Sequence, residues 1–238
     1  MSTLSFATVV VALVVSANGH DCTKYNLTPS DQSLIDMMTH YLHTSRKADC
    51  PVTPSQHDIG VTYVRWGKKT CPENSDIVYT GQVGGNYFSN KGGGSNYLCL
   101  PNEPENGNVS SNSDEGLYGA EYQINNSNNP SGFPTNLYNK EVPCSVCRRK
   151  EKISVLIIAG RKSCYKGWKS EYNGFLMSSN KNHITSDFIC IDGEAEPLNN
   201  RSSNEQGALF YPVRAKCGSL RCPPYKDKTE VLCTVCTK

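Results

Sequence analysis

Twelve cysteines are the residues of this chain with the most chemistry to offer. A cysteine can act as a nucleophile, a metal ligand or a crosslink, and spacing helps to separate these roles. Here the spacing repeats. Val142-Pro-Cys-Ser-Val-Cys147 returns as Val231-Leu-Cys-Thr-Val-Cys236, and each segment closes a set of four: Cys71, Cys99, Cys144 and Cys147, then Cys164, Cys190, Cys233 and Cys236. From 71 to 99 is 28 positions and from 164 to 190 is 26; from 99 to 144 is 45 and from 190 to 233 is 43. The two Cys-x-x-Cys pairs imitate the halves of a four-cysteine zinc site, but each belongs to its own repeat. The reading is therefore six disulfides, no metal and no cofactor. On an extended strand, residues three apart face opposite ways. Cys144 and Cys147 then reach different partners, which leaves 71–147 with 99–144 or 71–144 with 99–147. Cys217 and Cys222 bound a small loop that only the second set has. Cys22 and Cys50 flank a predicted helix and are expected to pair with each other.

The remaining reactive residue types give little catalytic pattern. There is no His-Glu-x-x-His or Gly-x-Ser-x-Gly, and paired cysteines leave no reactive thiol, so a non-enzyme is expected. His40 and His43 lie three apart on the predicted helix, where a solvated face is the simpler reading; a copper site at His20 would require cleavage after Gly19. Asp192-Gly-Glu-Ala-Glu196 gathers three carboxylates without the spacing of an EF-hand and reads as a solvated loop. Arg148, Arg149, Lys150, Lys152, Arg161 and Lys162 form a basic segment at the join of the repeats, a candidate for polyanion binding. A net charge of +2 gives no electrostatic case for nucleic acid. Trp66 and Trp168 each lie near the first cysteine of a repeat and are expected in the core. Sequons at Asn26, Asn108, Asn125 and Asn200 predict surface glycans.

The elements that must position these residues can be read in outline. Residues 1–19 read as a secretory signal: an apolar run from Phe6 to Val15, then small residues. No other segment has the roughly 20 apolar residues of a membrane helix, so the expected product is secreted, extracellular and free of membrane. Residues 20–59 form an N-terminal helical segment and linker. Thr28 caps, Pro29 opens, and Leu34, Ile35, Met38, Tyr41 and Leu42 share one face of a helix over 29–45. From Val61 the pattern turns to short β runs at 61–66, 77–79, 97–100, 118–124, 155–159, 175–177, 188–191 and 208–211. Val155–Ala159 is expected as a buried strand. Gly81–Ser95 reads as a glycine-rich hairpin, and Pro101–Pro134 as a surface excursion around a core strand at 118–124.

More than cysteine repeats. Cys71-(x)7-Tyr79-Thr-Gly81 answers Cys164-(x)7-Tyr172-Asn-Gly174, and Tyr97-Leu-Cys-Leu answers Phe188-Ile-Cys-Ile. Shared spacing of crosslinks and turn glycines implies a shared backbone. The expected fold is mainly β: two tandem, pseudo-symmetric disulfide-rich β subdomains, 60–147 and 148–238, preceded by a short N-terminal helix.

Thr62-Tyr-Val-Arg-Trp-Gly, Thr70-Cys-Pro, Val78-Tyr-Thr-Gly, Gly92-Gly-Gly-Ser-Asn-Tyr-Leu-Cys-Leu-Pro, Tyr118-Gly-Ala-Glu-Tyr and Cys222-Pro-Pro-Tyr, with the two closing segments, carry a resemblance over residues 60–238. The region resembles the C-terminal non-collagenous domain of sponge short-chain (spongin-type) collagens and, more distantly, that of type IV collagen. The resemblance implies nested pairing: Cys71–Cys147, Cys99–Cys144, Cys164–Cys236, Cys190–Cys233 and Cys217–Cys222. It also implies an extracellular-matrix domain that serves assembly or adhesion as a homo-oligomer, with a trimer favoured, and with matrix proteins or glycans as partners. The second set opens Cys164-Tyr where type IV collagen has Cys-Pro. No Gly-X-Y run is present, so this sequence forms no collagen triple helix. The competing expectation is a secreted lectin-like or glycosaminoglycan-binding recognition protein.

Overall fold

Valine, isoleucine, threonine and aromatic residues concentrate in runs of four to eight between glycine- and asparagine-rich breaks, the composition that favours short strands. The computed structural model describes residues 59–108, 116–199 and 204–238, all within the compact unit Pro54–Lys238. Among the described residues the secondary structure is ten strands and no helix: β1 (Gly60–Trp66), β2 (Ser75–Gly85), β3 (Leu98–Pro101), β4 (Tyr118–Tyr122), β5 (Pro143–Lys150), β6 (Val155–Ala159), β7 (Lys169–Ser178), β8 (Ile189–Asp192), β9 (Ala208–Pro212) and β10 (Leu232–Thr237). The predicted helix over 29–45, the Cys22–Cys50 pair and the sequons at Asn26 and Asn200 lie outside the described residues.

Seven strands close a barrel in the order β7-β8-β1-β5-β2-β4-β9, with β9 returning to β7. Closure removes the two open edges that a sheet of this size would otherwise present. β3 lies on β2, β10 on β7, and β6 on β10. The pairs β1–β8 and β4–β9 are parallel and every other named pair is antiparallel. One pattern of pairing occurs twice. β1–β5–β2 carries β3 and β4 on β2; β6–β10–β7 carries β8 and β9 on β7. Gly81 and Gly174 occupy corresponding points. A Cβ on Gly81 would meet the Leu100 carbonyl oxygen at 1.6 Å, and one on Gly174 the Ile191 carbonyl oxygen at 1.9 Å. Both positions therefore require glycine for the third strand to approach.

Four disulfides brace the strands, Cys71–Cys147, Cys99–Cys144, Cys164–Cys236 and Cys190–Cys233, and a fifth, Cys217–Cys222, closes a small loop between β9 and β10. Cys144 and Cys147 both lie on β5, and Cys233 and Cys236 both on β10. Each pair sends its two bonds in different directions, as two-residue alternation requires. The barrel interior is filled from both halves of the sequence, with Val83, Tyr122 and Val142 packed alongside Met177, Ile191 and Phe210.

Two features differ from the sequence reading. Val155–Ala159 forms a strand that is not buried: β6 pairs only with β10, and Ile157 is 57% exposed. A short apolar run does not by itself report burial. The stretch after β4 is not wholly a surface excursion: Ile124 is buried as expected of the strand at 118–124, but Phe133 also folds back into the barrel core, and Leu137 follows it there. Single apolar residues scattered among asparagine and serine left no periodic trace.

Candidate functional site

The ten described cysteines are all disulfide-bonded. Functional chemistry on this domain therefore falls to its surfaces, its clefts and its ionisable groups. Among the described residues no set of three or more histidine, cysteine or acidic side chains is arranged to hold a metal ion, and no helix is long and apolar enough to cross a membrane.

The six basic residues of the candidate polyanion site divide between environments. β5 alternates, so Arg148 and Lys150 share one face and Arg149 the other. Arg149 is buried; its Nη1 donates to the carbonyls of Glu73 and Asn74, and its Nε lies 3.5 Å from Glu171 Oε1. Lys150 pairs with Asp76 at 2.9 Å on the exposed face. Lys152 is half-buried, Lys162 is exposed, and the Arg161 guanidinium stacks 4.5 Å above the Tyr165 ring. Arg149 thus serves the interior and leaves the polyanion set.

The acidic loop is tied down rather than open. Arg65 Nε donates to Asp192 Oδ2 at 2.7 Å, the amide of Glu194 donates to Asp192 Oδ1, and the amide of Lys69 donates to Glu196 Oε1. Trp66 is half-buried against the core, and Trp168 is half-buried. Asn108 and Asn125 are exposed, as glycan acceptors must be.

A buried ionic network missing from the sequence reading joins the two halves. Glu171 on β7 accepts from Thr237 Oγ1 at 2.6 Å and from the Tyr63 hydroxyl at 3.0 Å, with Ser75 Oγ at 3.4 Å and Arg149 alongside. Burial, together with the Glu171 carboxylate, pushes the Tyr63 hydroxyl well above its ordinary pKa. The Tyr172 hydroxyl donates to the carbonyls of Val64 and Cys190, and burial raises its pKa as well.

Among the described residues two strand edges stay open. β1 is covered on its second side by β8, through Trp66 and Ile191. In the second half β6 occupies the corresponding place, yet no described strand pairs with its outer edge, and Leu156 and Ile157 are exposed there. In the first half β3 corresponds to β8; it pairs with β2 alone and exposes Leu98. A similar asymmetry marks the residue two positions before each mid-half cysteine. Tyr97 is 7% exposed and stacks on Phe210 of the second half, whereas Phe188 is 67% exposed. Open edges with apolar side chains are what a protein normally covers.

The β2–β3 and β7–β8 connections face each other across a cleft of about 600 Å³ lined by Phe88, Asn90, Lys91, Asn182, His183 and Thr185, among others. Both carry Ser-Asn-Lys, at 89–91 and 179–181, ten and eleven residues before Cys99 and Cys190. That echo was a usable signal which the glycine-rich reading of the first loop hid. A second cleft of about 630 Å³ borders Arg65, Asp192 and Lys162, but Arg65 and Asp192 already satisfy each other.

No protein-family model matches this chain.

Proposed function

We propose that this chain is a secreted, non-enzymatic extracellular-matrix protein whose disulfide-braced β domain serves assembly and adhesion. The repeated strand pairing and the paired glycines support reading it as two tandem, pseudo-symmetric halves that interlock in one barrel. The resemblance to the non-collagenous domain of spongin-type collagens supports the matrix role. Five disulfides suit an oxidising compartment.

The observation that carries the assembly reading is the unmade twin of a contact. β1 meets β8 within the chain, while β6 and β3, which hold the same places, do not meet. Register fixes what the twin would be. Trp66 sits opposite Cys144, and Ala159 opposite Cys233. Ile191 follows Cys190 as Leu100 follows Cys99. Repeating the Trp66–Ile191 pair between molecules places Ala159 of one copy beside Leu100 of the next. Such a contact is head-to-tail, and it closes into a ring when the rotation allows, with a trimer favoured. An added strand gains backbone hydrogen bonds as well as apolar cover.

Ile157→Lys tests this reading, because it places a charge on the open β6 strand without touching the barrel interior. Light scattering after size exclusion is expected to show the variant as single chains and the parent as an oligomer. Identical masses for the two proteins would remove β6 from the interface.

A further inference from the structure

We propose that the cleft between the β2–β3 and β7–β8 connections is a saccharide-binding site that prefers a carboxylate-bearing sugar. This goes beyond the assembly reading and does not depend on it, since neither β6 nor β3 lines the cleft.

A sugar offers C–H faces that pack on rings, and its edge hydroxyls need polar partners. Five rings run in unbroken contact beside and into the cleft. Tyr118 lies 5.1 Å from Tyr87, Tyr87 4.8 Å from Phe88, Phe88 4.7 Å from His183, and His183 5.5 Å from Tyr211. All five are at least partly exposed. Large rings with one wet side cost little conformational entropy to present, which makes them effective recognition surfaces.

The cleft also offers polar partners. Asn90, Asn182 and Thr185 supply amide and hydroxyl groups that both donate and accept, as sugar hydroxyls do. His183 Nδ1 is shielded and has no hydrogen-bond partner. Burial lowers the pKa of its ring, so at neutral pH the ring meets a ligand uncharged. Lys91 is the one charged side chain among the lining residues, and no carboxylate joins it. That imbalance favours an acidic sugar over a neutral one.

The cleft is preorganised. The two connections are stitched together: the Ile184 amide donates to the Phe88 carbonyl at 3.0 Å, and the Asp187 amide to the Ser95 carbonyl at 3.2 Å. Within the loops, Asn86 Nδ2 donates to the Gly92 carbonyl and Ser179 Oγ to the Ile184 carbonyl. Walls fixed in this way lose little entropy on binding. The cleft also requires both halves, because each contributes its own Ser-Asn-Lys loop.

The test is saturation-transfer NMR on the whole secreted protein after enzymatic removal of its own N-glycans, with hyaluronan tetrasaccharide and chitotetraose as probes. Both probes contain N-acetylglucosamine, and only the first carries carboxylates. Transfer to hyaluronan tetrasaccharide is expected to exceed transfer to chitotetraose. Phe88→Ala is expected to weaken binding about tenfold, the effect of losing one aromatic contact of roughly 1.4 kcal/mol. Asn182→Ala, at an exposed position, serves as the variant that leaves the fold intact and is expected to weaken binding as well. Lys91→Ala is expected to abolish the preference between probes. Absence of transfer to both probes, or transfer unchanged in Phe88→Ala and Asn182→Ala, would overturn the site. Equal transfer to the two probes would overturn its acidic preference.

Discussion

Replacing Glu171 with alanine is expected to loosen the join between the halves. The side chain is 1% exposed, and its two oxygens collect Thr237, Tyr63, Ser75 and Arg149. Alanine leaves the buried Arg149 guanidinium without its carboxylate and takes an acceptor from three hydroxyls. Removing one partner of a buried ion pair costs about 3–5 kcal/mol. Hydrogen bonds to a charged group are worth about 1.5–3 kcal/mol each, and they do not add within one network. The expected loss is about 4 kcal/mol, a large part of the 5–15 kcal/mol that typically holds a domain together. The control is Lys150–Asp76, whose side chains are both 55% exposed. Asp76→Ala is expected to cost at most about 1 kcal/mol, because solvent screens the pair. Guanidinium unfolding with disulfides intact, followed by the fluorescence of Trp66 and Trp168 at one fixed protein concentration, reads the difference as a shifted midpoint at constant slope. If Glu171→Ala is no more destabilising than Asp76→Ala, the network does not join the halves and the reasoning fails.

Glu121 and Glu141 sit opposite each other in a β-bridge, each with a buried oxygen that lacks a partner. Burial raises the Glu121 carboxyl pKa, with the neighbouring Glu205 and Glu141 charges adding to it. A carboxyl that holds its proton more tightly when folded contributes stability below its unfolded value, near 4.3, and that stability is lost as pH rises through the folded value. Glu121→Gln is therefore expected to raise stability at pH 7 by about 1 kcal/mol and to flatten the decline from acid to neutral pH, measured by thermal melts across that range. Removing Cys71–Cys147 by double alanine substitution is expected to cost about 4 kcal/mol, against about 2 kcal/mol for Cys217–Cys222, because the bonds span 76 and 5 residues. Equal losses in denaturant titrations would argue against loop closure as the origin of the stabilisation.

Much of the framework was legible because it is written in backbone constraints. The strand runs at 61–66, 97–100, 118–124 and 208–211 lie close to β1, β3, β4 and β9. The closing Cys-x-Val-Cys segments reported opposite-facing crosslinks through simple alternation. What escaped was relational. The Lys169-Ser-Glu-Tyr-Asn start of β7 looks like a polar turn, and nothing local marks Glu171 as buried; only the arrival of Tyr63 from β1 and Arg149 from β5 does that. β5 runs on to Lys150, so the basic segment begins inside a strand and its middle residue turns inward. The exposure of β6 depends on which strand fails to pair with it, and no single run of residues contains that information. The first cleft loop reads only as glycine-rich, although the Ser-Asn-Lys it shares with the second was visible in the sequence.

The measurement that bears most directly on the assembly account is the mass in solution of the whole protein at micromolar concentration and physiological salt, by size exclusion with light scattering. The account predicts a closed oligomer, with three times the single-chain mass favoured, formed through the open β6 and β3 edges. A single-chain mass under those conditions would contradict it.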